Sequence, residues 1–226
     1  MIVRIPGVLP ADHLANMQSR LESAAWEDGR LTAGHQSSQV KNNMQLPQTD
    51  ATARALSEEV LRALERNALF ISATLPRHVY PPLFNRFRSG MTFGAHIDNA
   101  IRQIPGTPHR LRTDLAATLF LSSPDSYDGG ELVIEDTFGP QSVKLPAGDM
   151  VVYSATGIHR VEAVTGGTRT AAFFWIQSMV QDDGARTLMF ELDTAIRELT
   201  RAGVAAEPLV RLTACYHNLL RRWATL

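Results

Sequence analysis

The chain has 226 residues, of which 44% are hydrophobic and 20% are charged, with a formal net charge of -1 and an isoelectric point near 6.7. This length allows one domain with an appendage, and the near-neutral charge excludes a strongly basic surface for polyanions, so we expect no nucleic-acid partner. Because no apolar stretch suits a membrane span or a secretory signal, and the lone Cys215 cannot form an internal disulfide, we expect a cytoplasmic protein without a membrane partner.

The first third of the chain is predicted to be helical and irregular. Apolar residues spaced three and four apart predict a helix over residues 10–25. Residues 27–49 are rich in small polar side chains, which predicts a loop or an irregular edge strand near a substrate. Asp50 is suited to cap a second helix that continues to Arg66. We therefore treat residues 1–77 as an N-terminal support region.

The character of the sequence changes after Pro76. Short runs of β-branched and aromatic residues alternate with turns such as Asp128-Gly129-Gly130, a pattern typical of an all-β domain. Strands are predicted near residues 79–88, 91–98, 114–122, 131–135, 141–145, 149–154, 158–164 and 169–179. Eight antiparallel strands closing around a ligand indicate a double-stranded β-helix, or jelly roll, over residues 78–178. The predicted fold class is mainly β with flanking helices.

Helical periodicity returns over residues 183–226. Two apolar stripes predict a helical hairpin whose helices are separated at Pro208. This segment carries no cluster of titratable residues. We therefore assign it to packing or self-association, and we favour a homo-oligomer over a monomer.

The residues best suited to chemistry begin with His96-Ile97-Asp98. On an extended backbone, positions two apart point to the same face, so the imidazole and the carboxylate can reach one ion together. His159, which opens another apolar strand, is the best candidate for a third ligand. Two histidines and one carboxylate on one face of an iron(II) ion leave positions open for substrate chemistry. Ten residues later, Arg169 lies on a further strand and shares a face with apolar side chains.

The order and spacing of several motifs carry a family resemblance. The motifs are Phe87-Arg-Ser-Gly90-Met-Thr-Phe93-Gly-Ala-His96-Ile-Asp98, Asp128-Gly-Gly-Glu-Leu132, Gly148-Asp149, His159 and Arg169. Together they resemble the iron(II)- and 2-oxoglutarate-dependent dioxygenases of the prolyl-4-hydroxylase type, and more closely the bacterial PKHD-type hydroxylases. The resemblance to the catalytic domain covers residues 78–178, and the flanking helices fit the PKHD-type layout.

This resemblance implies roles for particular residues. His96, Asp98 and His159 would be the iron ligands, and Arg169 would bind the distal carboxylate of 2-oxoglutarate. Chemistry supports the last role, because the planar guanidinium donates two parallel hydrogen bonds and stays charged when buried. The resemblance also implies dioxygen as a cosubstrate and L-ascorbate as a reductant that rescues oxidised iron.

Two positions differ from the related pattern. Relatives of the prolyl-hydroxylase type often have tyrosine where this chain has Phe87 and Phe120, and those hydroxyls help to hold 2-oxoglutarate. The hydroxyl of Thr118 or that of Tyr153 can replace them, and spacing does not choose between the two. The retained Asp98 favours hydroxylation, because related halogenases lack that carboxylate.

The resemblance implies an enzyme that decarboxylates 2-oxoglutarate to succinate and hydroxylates an unactivated C–H bond. We expect a small-molecule substrate rather than a protein, with a link to iron acquisition, and a peptidyl proline is the alternative. A non-catalytic sensor of iron or 2-oxoglutarate on the same fold is a rival interpretation. A zinc hydrolase is another, because two histidines, an aspartate and a water also satisfy zinc.

Segment 99–113 directly follows Asp98 and must therefore form part of the pocket rim. Arg102, Arg110 and Arg112 give this segment positive charge, and it lacks the aromatic residues of a platform for nucleic-acid bases. We expect a small or extended substrate with oxygen-rich or anionic groups.

Overall fold

The computed structural model describes residues 1–32, 34 and 36–226. Ala33 and His35 belong to the segment predicted as loop or irregular edge strand, and they lie outside the described residues. The rest of that segment contains a 3-10 turn, a one-turn helix and three strands of two residues each. These short pieces agree with the predicted irregular edge.

The described part of the chain contains six α-helices and sixteen strands. The helices are α1 (Ala11–Glu22), α2 (Ser37–Val40), α3 (Ala51–Glu65), α4 (Ala68–Thr74), α5 (Asp183–Arg201) and α6 (Ala206–Trp223). The strands are β1 (Ile2–Ile5), β2 (Glu27–Asp28), β3 (Lys41–Asn42), β4 (Met44–Gln45), β5 (Pro76–Val79), β6 (Leu83–Arg88), β7 (Thr92–His96), β8 (Ile101–Gln103), β9 (Arg110–Arg112), β10 (Leu115–Phe120), β11 (Tyr127–Gly129), β12 (Leu132–Asp136), β13 (Gly139–Val143), β14 (Met150–Ser154), β15 (His159–Val161) and β16 (Val164–Ser178). Among the described helices, none has the length and apolar character that a membrane crossing requires.

Two antiparallel sheets form the body of the molecule. The larger sheet runs in the order β1-β14-β10-β16-β6-β4-β2, with β5 and β11 also paired to β16. The smaller sheet runs in the order β13-β12-β15-β7-β3, and one apolar cluster contains side chains from both sheets. This arrangement is the jelly roll that the sequence predicted. Strands β8 and β9 form a separate hairpin beside it.

The long strand β16 separates two cores because its side chains alternate between two faces. Ala172, Phe174 and Ile176 pack in the core that the larger sheet shares with α1 and α3. Trp175 instead packs between the two sheets, and Arg169 has the same parity along the strand. The strand therefore presents one face to the helices and the other to the interior of the jelly roll.

The N-terminal helices cover the outer face of the larger sheet. Met17 of α1 and Leu56 of α3 are fully buried in the core against that sheet. The Asp50 side chain caps α3 by accepting a hydrogen bond of 2.9 Å from the backbone N–H of Ala53, as the sequence indicated. Both predicted helices are confirmed, whereas α4 was not predicted.

Several predicted strands have different bounds in the structure. The strand predicted at 158–164 ends at Val161, and the one predicted at 169–179 begins at Val164. The strand predicted at 79–88 is split into β5 and β6 by Pro81 and Pro82, because proline has no N–H for a sheet hydrogen bond. The strand predicted at 91–98 ends at His96, so Asp98 lies in the loop that follows β7. The strand-parity argument for Asp98 was therefore wrong, although its side chain still lies beside that of His96.

The C-terminal segment forms the predicted hairpin of α5 and α6. The break between them falls at Gly203, whose positive φ of 71° allows the chain to leave α5, and not at Pro208. Proline fits within the first turn of α6, where the backbone N–H groups have no partner in the helix. Met189 of α5 is fully buried, whereas no residue of α6 in the described chain is fully buried.

Candidate active site

Three side chains with metal-binding atoms meet in one pocket between the sheets. Strands β7 and β15 are neighbours, and His96 pairs directly with His159. One ligand atom from each of these residues and one from Asp98 lie within 4.8 Å of one another. Nε2 of His159 is 3.7 Å from Oδ2 of Asp98. The structure thus brings together the ligand set that the sequence predicted.

Backbone carbonyls determine which nitrogen each imidazole offers to the pocket. Nδ1 of His96 lies 2.8 Å from the carbonyl oxygen of Gly94, and Nδ1 of His159 lies 3.1 Å from that of Gly157. A carbonyl oxygen only accepts, so Nδ1 donates in both cases and the lone pair of Nε2 remains for a ligand.

The charge states of these groups suit a divalent cation. Burial, followed by the neighbouring His159, lowers the pKa of His96 from 6.5 to about 4. His96 is therefore neutral near pH 7, as a metal ligand must be. Two imidazole nitrogens and the Asp98 carboxylate form a donor set that Fe(II) accepts, with three ligands on one side. The residues present therefore fit an iron ion.

Arg169 lies in the same pocket and is 1% exposed. Its guanidinium carbon is 5.3 Å from the ring centre of Phe87 and 5.4 Å from that of Phe120. Its Nε and Nη1 atoms are buried and have no hydrogen-bond partner among the described residues. Burial lowers the pKa of Arg169, but a guanidinium keeps its proton in proteins. A buried cation with unused donors fits the carboxylate of a bound ligand.

A glycine helps to hold this arginine in place. A Cβ atom built on Gly130 would lie 3.1 Å from Cδ of Arg169 and 2.9 Å from Cγ2 of Val164. Gly130 also has a positive φ of 67°, which other residues rarely adopt. The turn that the sequence placed at this glycine therefore allows the backbone to approach Arg169 closely.

Thr118 and Tyr153, the two predicted replacement donors, both line the pocket. They lie on the adjacent strands β10 and β14. Burial, followed by the charge of Asp98, raises the pKa of Tyr153, while a hydrogen bond with the side chain of Thr118 acts in the opposite direction. Tyr153 therefore stays protonated and can donate. The assignment of either hydroxyl to 2-oxoglutarate stays a prediction.

The structure adds functional candidates that the sequence did not reveal. The Tyr127 hydroxyl is buried without a hydrogen-bond partner among the described residues. Burial raises the pKa of Tyr127, and the nearby charge of Arg169 lowers it by a smaller amount. Lys41 and Asn85 line the pocket, and Oδ1 of Asn85 is also buried without a partner in the described chain. Lys41 and Tyr127 come from the short strands β3 and β11, whose pairing is long-range, whereas Asn85 lies in the predicted strand β6. The only local signal was the turn sequence that follows Tyr127.

His78 and His109, which lie on either side of His96-Ile97-Asp98 in the sequence, are exposed. Neither lies among the described residues that line the pocket. Nearness in sequence to the ligands therefore did not place them at the site.

Comparisons with known proteins agree with this geometry. Residues 82–177 match the family model of the 2OG-Fe(II) oxygenase superfamily, and residues 183–225 match that of the PKHD-type hydroxylase C-terminal domain. The chain is 57% identical over 227 residues to a PKHD-type hydroxylase of Gluconobacter oxydans, with 100% of both chains covered. It is 56% identical over 226 residues to one of Xanthomonas campestris, with 99% of each covered.

A solved structure supports the fold independently. The 2OG-Fe(II) oxygenase family oxidoreductase of Burkholderia pseudomallei superimposes with a TM-score of 0.53 at 18% identity, covering 78% of this chain and 84% of that one. The jelly roll with its two histidines, aspartate and buried arginine defines an Fe(II)- and 2-oxoglutarate-dependent oxygenase. Within that class, the chain belongs to the PKHD-type hydroxylase family. It is therefore an enzyme of the hydroxylase type.

Proposed function

We propose that this enzyme hydroxylates an unactivated C–H bond of a small molecule while 2-oxoglutarate is converted to succinate. One oxygen atom of dioxygen enters the substrate, and the other enters succinate as carbon dioxide leaves. The supporting observation is that three metal-binding side chains share one pocket with Arg169, whose buried guanidinium has unused donors. Fe(II), when bound, supplies the redox chemistry with dioxygen and 2-oxoglutarate.

In this proposal each residue has one task. His96, Asp98 and His159 hold the iron, and the carbonyls behind the two imidazoles keep Nε2 available to it. Arg169 receives the distal carboxylate of 2-oxoglutarate and fixes its orientation, with Thr118 or Tyr153 as a further donor. The surrounding apolar walls exclude bulk water from the reacting groups.

The depth of the site supports a small substrate. His96 is 8% exposed and His159 is 5% exposed, so a folded protein surface has little access to them. A peptidyl proline on an extended segment is the alternative, and the assay below includes it. We further infer that ascorbate restores Fe(II) after turnovers without substrate, and that the enzyme acts in the cytoplasm. The link to iron acquisition is also part of the proposal.

The regional division is likewise our inference. Residues 78–178 carry the site residues that the sequence predicted, while residues 1–77 and 183–226 support them. Strand β3, from the first region, adds Lys41 to the pocket lining, so the boundary at residue 77 separates elements that share a site.

Succinate release is the decisive measurement. The iron-loaded protein should form succinate from 2-oxoglutarate, faster with the correct substrate among candidate small molecules and proline-containing peptides. The zinc-loaded protein and the variant with His96→Ala and His159→Ala are the controls, and both should form none. Absence of succinate from the iron-loaded wild type under every condition would favour the sensor interpretation, while hydrolysis by the zinc form would favour the hydrolase.

A further inference from the structure

The pocket extends along β16 well beyond the reach of 2-oxoglutarate. Arg169 and Trp175 lie on the same face of this strand and both line the pocket. At about 3.3 Å per residue, they are roughly 20 Å apart along the strand. A chain of five carbons is only about 5 Å long. The end of the pocket at Trp175 is therefore available to a different molecule.

Arg102 occupies this far end. Its guanidinium carbon is 3.8 Å from the ring centre of Trp175 and 5.3 Å from that of Tyr80, so the cation lies against a pair of nearly perpendicular aromatic rings. Its Nε atom is buried and has no hydrogen-bond partner among the described residues. No ion pair within the described chain includes Arg102. The aromatic contacts orient the guanidinium but leave that donor unused.

The hairpin of β8 and β9 holds Arg102 in this position. Arg102 pairs with Leu111, which is fully buried. At the base of the hairpin, the Thr113 hydroxyl donates to the carbonyl oxygen of Asn99 at 2.8 Å, and the Thr113 N–H donates to that of Ala100 at 2.9 Å. Because Asn99 directly follows the proposed ligand Asp98, Arg102 is connected to the metal site by a short, hydrogen-bonded segment.

The other charges of the proposed site balance one another and leave Arg102 without a counter-charge. The charges of Fe(II) and Arg169 are matched by the Asp98 carboxylate and the two carboxylates of 2-oxoglutarate. Asp98 is the only acidic residue in the described pocket lining, so no carboxylate there remains for Arg102. Lys41, whose Nζ donates to Oε1 of Gln45 at 2.9 Å, adds to the positive potential. Burial, followed by the charge of Arg102, lowers the pKa of Lys41 to about 8.

We propose that the prime substrate is a small organic acid whose carboxylate pairs with Arg102 and whose apolar part packs against Trp175 and Phe173. Arg110 and Arg112 do not share this role. Arg110 is exposed, and Arg112 is paired with Asp114 at 2.6 Å. Of the three arginines that the sequence associated with an anionic substrate, the geometry selects one. This inference rests on the proposed function, because it places the carboxylate at the far end of the pocket that holds the proposed iron and 2-oxoglutarate sites.

Binding to a protein that cannot turn over provides the test. The protein is loaded with Mn(II) and saturating 2-oxoglutarate without oxygen, and calorimetry measures the binding of benzoate, 3-phenylpropionate and hexanoate and of their primary amides. Wild type should bind at least one acid about tenfold or more tightly than its amide, because a charge-assisted pair is lost in the amide. Arg102→Gln should abolish this preference, and Arg102→Lys should retain part of it. Arg110→Gln, on the same hairpin, is the matched control and should keep the full preference.

Three results would overturn the inference. The first is that wild type binds every acid and its amide equally well, or binds neither. The second is that the preference for the acid survives Arg102→Gln. The third is that Arg102→Gln lowers the affinity for 2-oxoglutarate as much as that for the acid, which would mean that Arg102 supports the pocket. Succinate formation without a prime substrate is measured separately in wild type. If wild type forms succinate but shows no acid preference, only this inference fails, whereas absence of succinate is evidence against the proposed function itself.

Discussion

Arg169 forms no ion pair within the described chain. Two aromatic rings lie against its guanidinium, and two of its nitrogens lack partners within the described chain. The nearby Tyr127 and Tyr153 hydroxyls are protonated because burial raises the pKa of both. A buried cation in such surroundings is costly unless an anion arrives. Ligand binding should therefore depend on the shape of this cation as well as on its charge.

Arg169→Ala is expected to weaken 2-oxoglutarate binding by about 2 to 4 kcal/mol, because it removes a bidentate charged contact. Binding of Mn(II) to the three proposed ligands should change little. Arg169→Lys keeps the charge but loses the planar fork, so its affinity should be intermediate. Separate calorimetric titrations of Mn(II) and 2-oxoglutarate give both values, and an equal loss of the two affinities would assign Arg169 to the fold instead.

At the scale of elements, the sequence predicted features that depend on residues close together in the chain. The predicted cap Asp50 begins α3, and its side chain accepts from the N–H three residues later. Asp182 caps α5 in the same way, although the sequence analysis did not identify it. The alternating faces of β16 also follow from period-two spacing, which placed Arg169 and Trp175 on one side. The ligand set was proposed from motif order as well as from this spacing, and the spacing argument fails for Asp98, which lies in the loop after β7.

Elements that depend on distant pairing could not be predicted in this way. Strand β1 is stabilised by β14, and β11 by β16, so nothing adjacent in sequence marks either of them. Tyr127 reaches Arg169 only through that second pairing. Lys41 likewise enters the pocket because β3 pairs with β7. The missed site residues are thus the ones whose position is set by tertiary contacts.

The C-terminal hairpin offers a test at the same scale. Met189 of α5 is fully buried in a cluster with Leu75 and Val180, whereas its neighbour Leu188 is 61% exposed. Met189→Ala should lower the free energy of unfolding by about 2 to 5 kcal/mol through the cavity it leaves. Leu188→Ala should change it by less than about 0.5 kcal/mol.

Urea unfolding of the two variants provides the comparison, and Mn(II) affinity should match wild type in both while they are folded. Similar destabilisation by both substitutions would show that α5 is packed differently, with Leu188 covered, for example by another copy of the chain. The predicted homo-oligomer stays a prediction, and light scattering on the intact chain measures it.

At the scale of the whole molecule, the small net charge does not reflect the positive charge inside the pocket. The net charge is only -1, yet the described pocket lining contains Lys41, Arg102 and Arg169 against the single carboxylate of Asp98. Composition argues against a strongly basic chain, but it carries no information about where the cationic side chains gather. Only the folded chain shows that three cationic side chains share this pocket.

The buried His96 should make the metal-free protein less stable in acid. The pKa of His96 is about 4 in the folded state against 6.5 for an unperturbed histidine. Between these values the unfolded chain binds more protons, so stability falls as the pH decreases from about 6.5 towards 4. His96→Asn removes this group and should reduce the fall.

The test compares urea unfolding midpoints of metal-free wild type and His96→Asn from about pH 7 to about pH 5. The difference between the two proteins at each pH cancels the contribution of the other titrating groups. Parallel curves for the two proteins would contradict the prediction. Adding Mn(II) at the upper pH should stabilise wild type, because a ligand that binds the folded state shifts the unfolding equilibrium.

Strand β1 also determines when the molecule can finish folding during synthesis. Ile5 pairs with Met150 and Ile2 with Tyr153, so the partner strand is made long after β1 has left the ribosome. At about 5 to 20 residues per second, this delay is roughly 7 to 30 s. Throughout that time an apolar segment has no hydrogen-bonding neighbour. The nascent chain therefore presents a binding site for chaperones until β14 emerges and the edge of the larger sheet is complete.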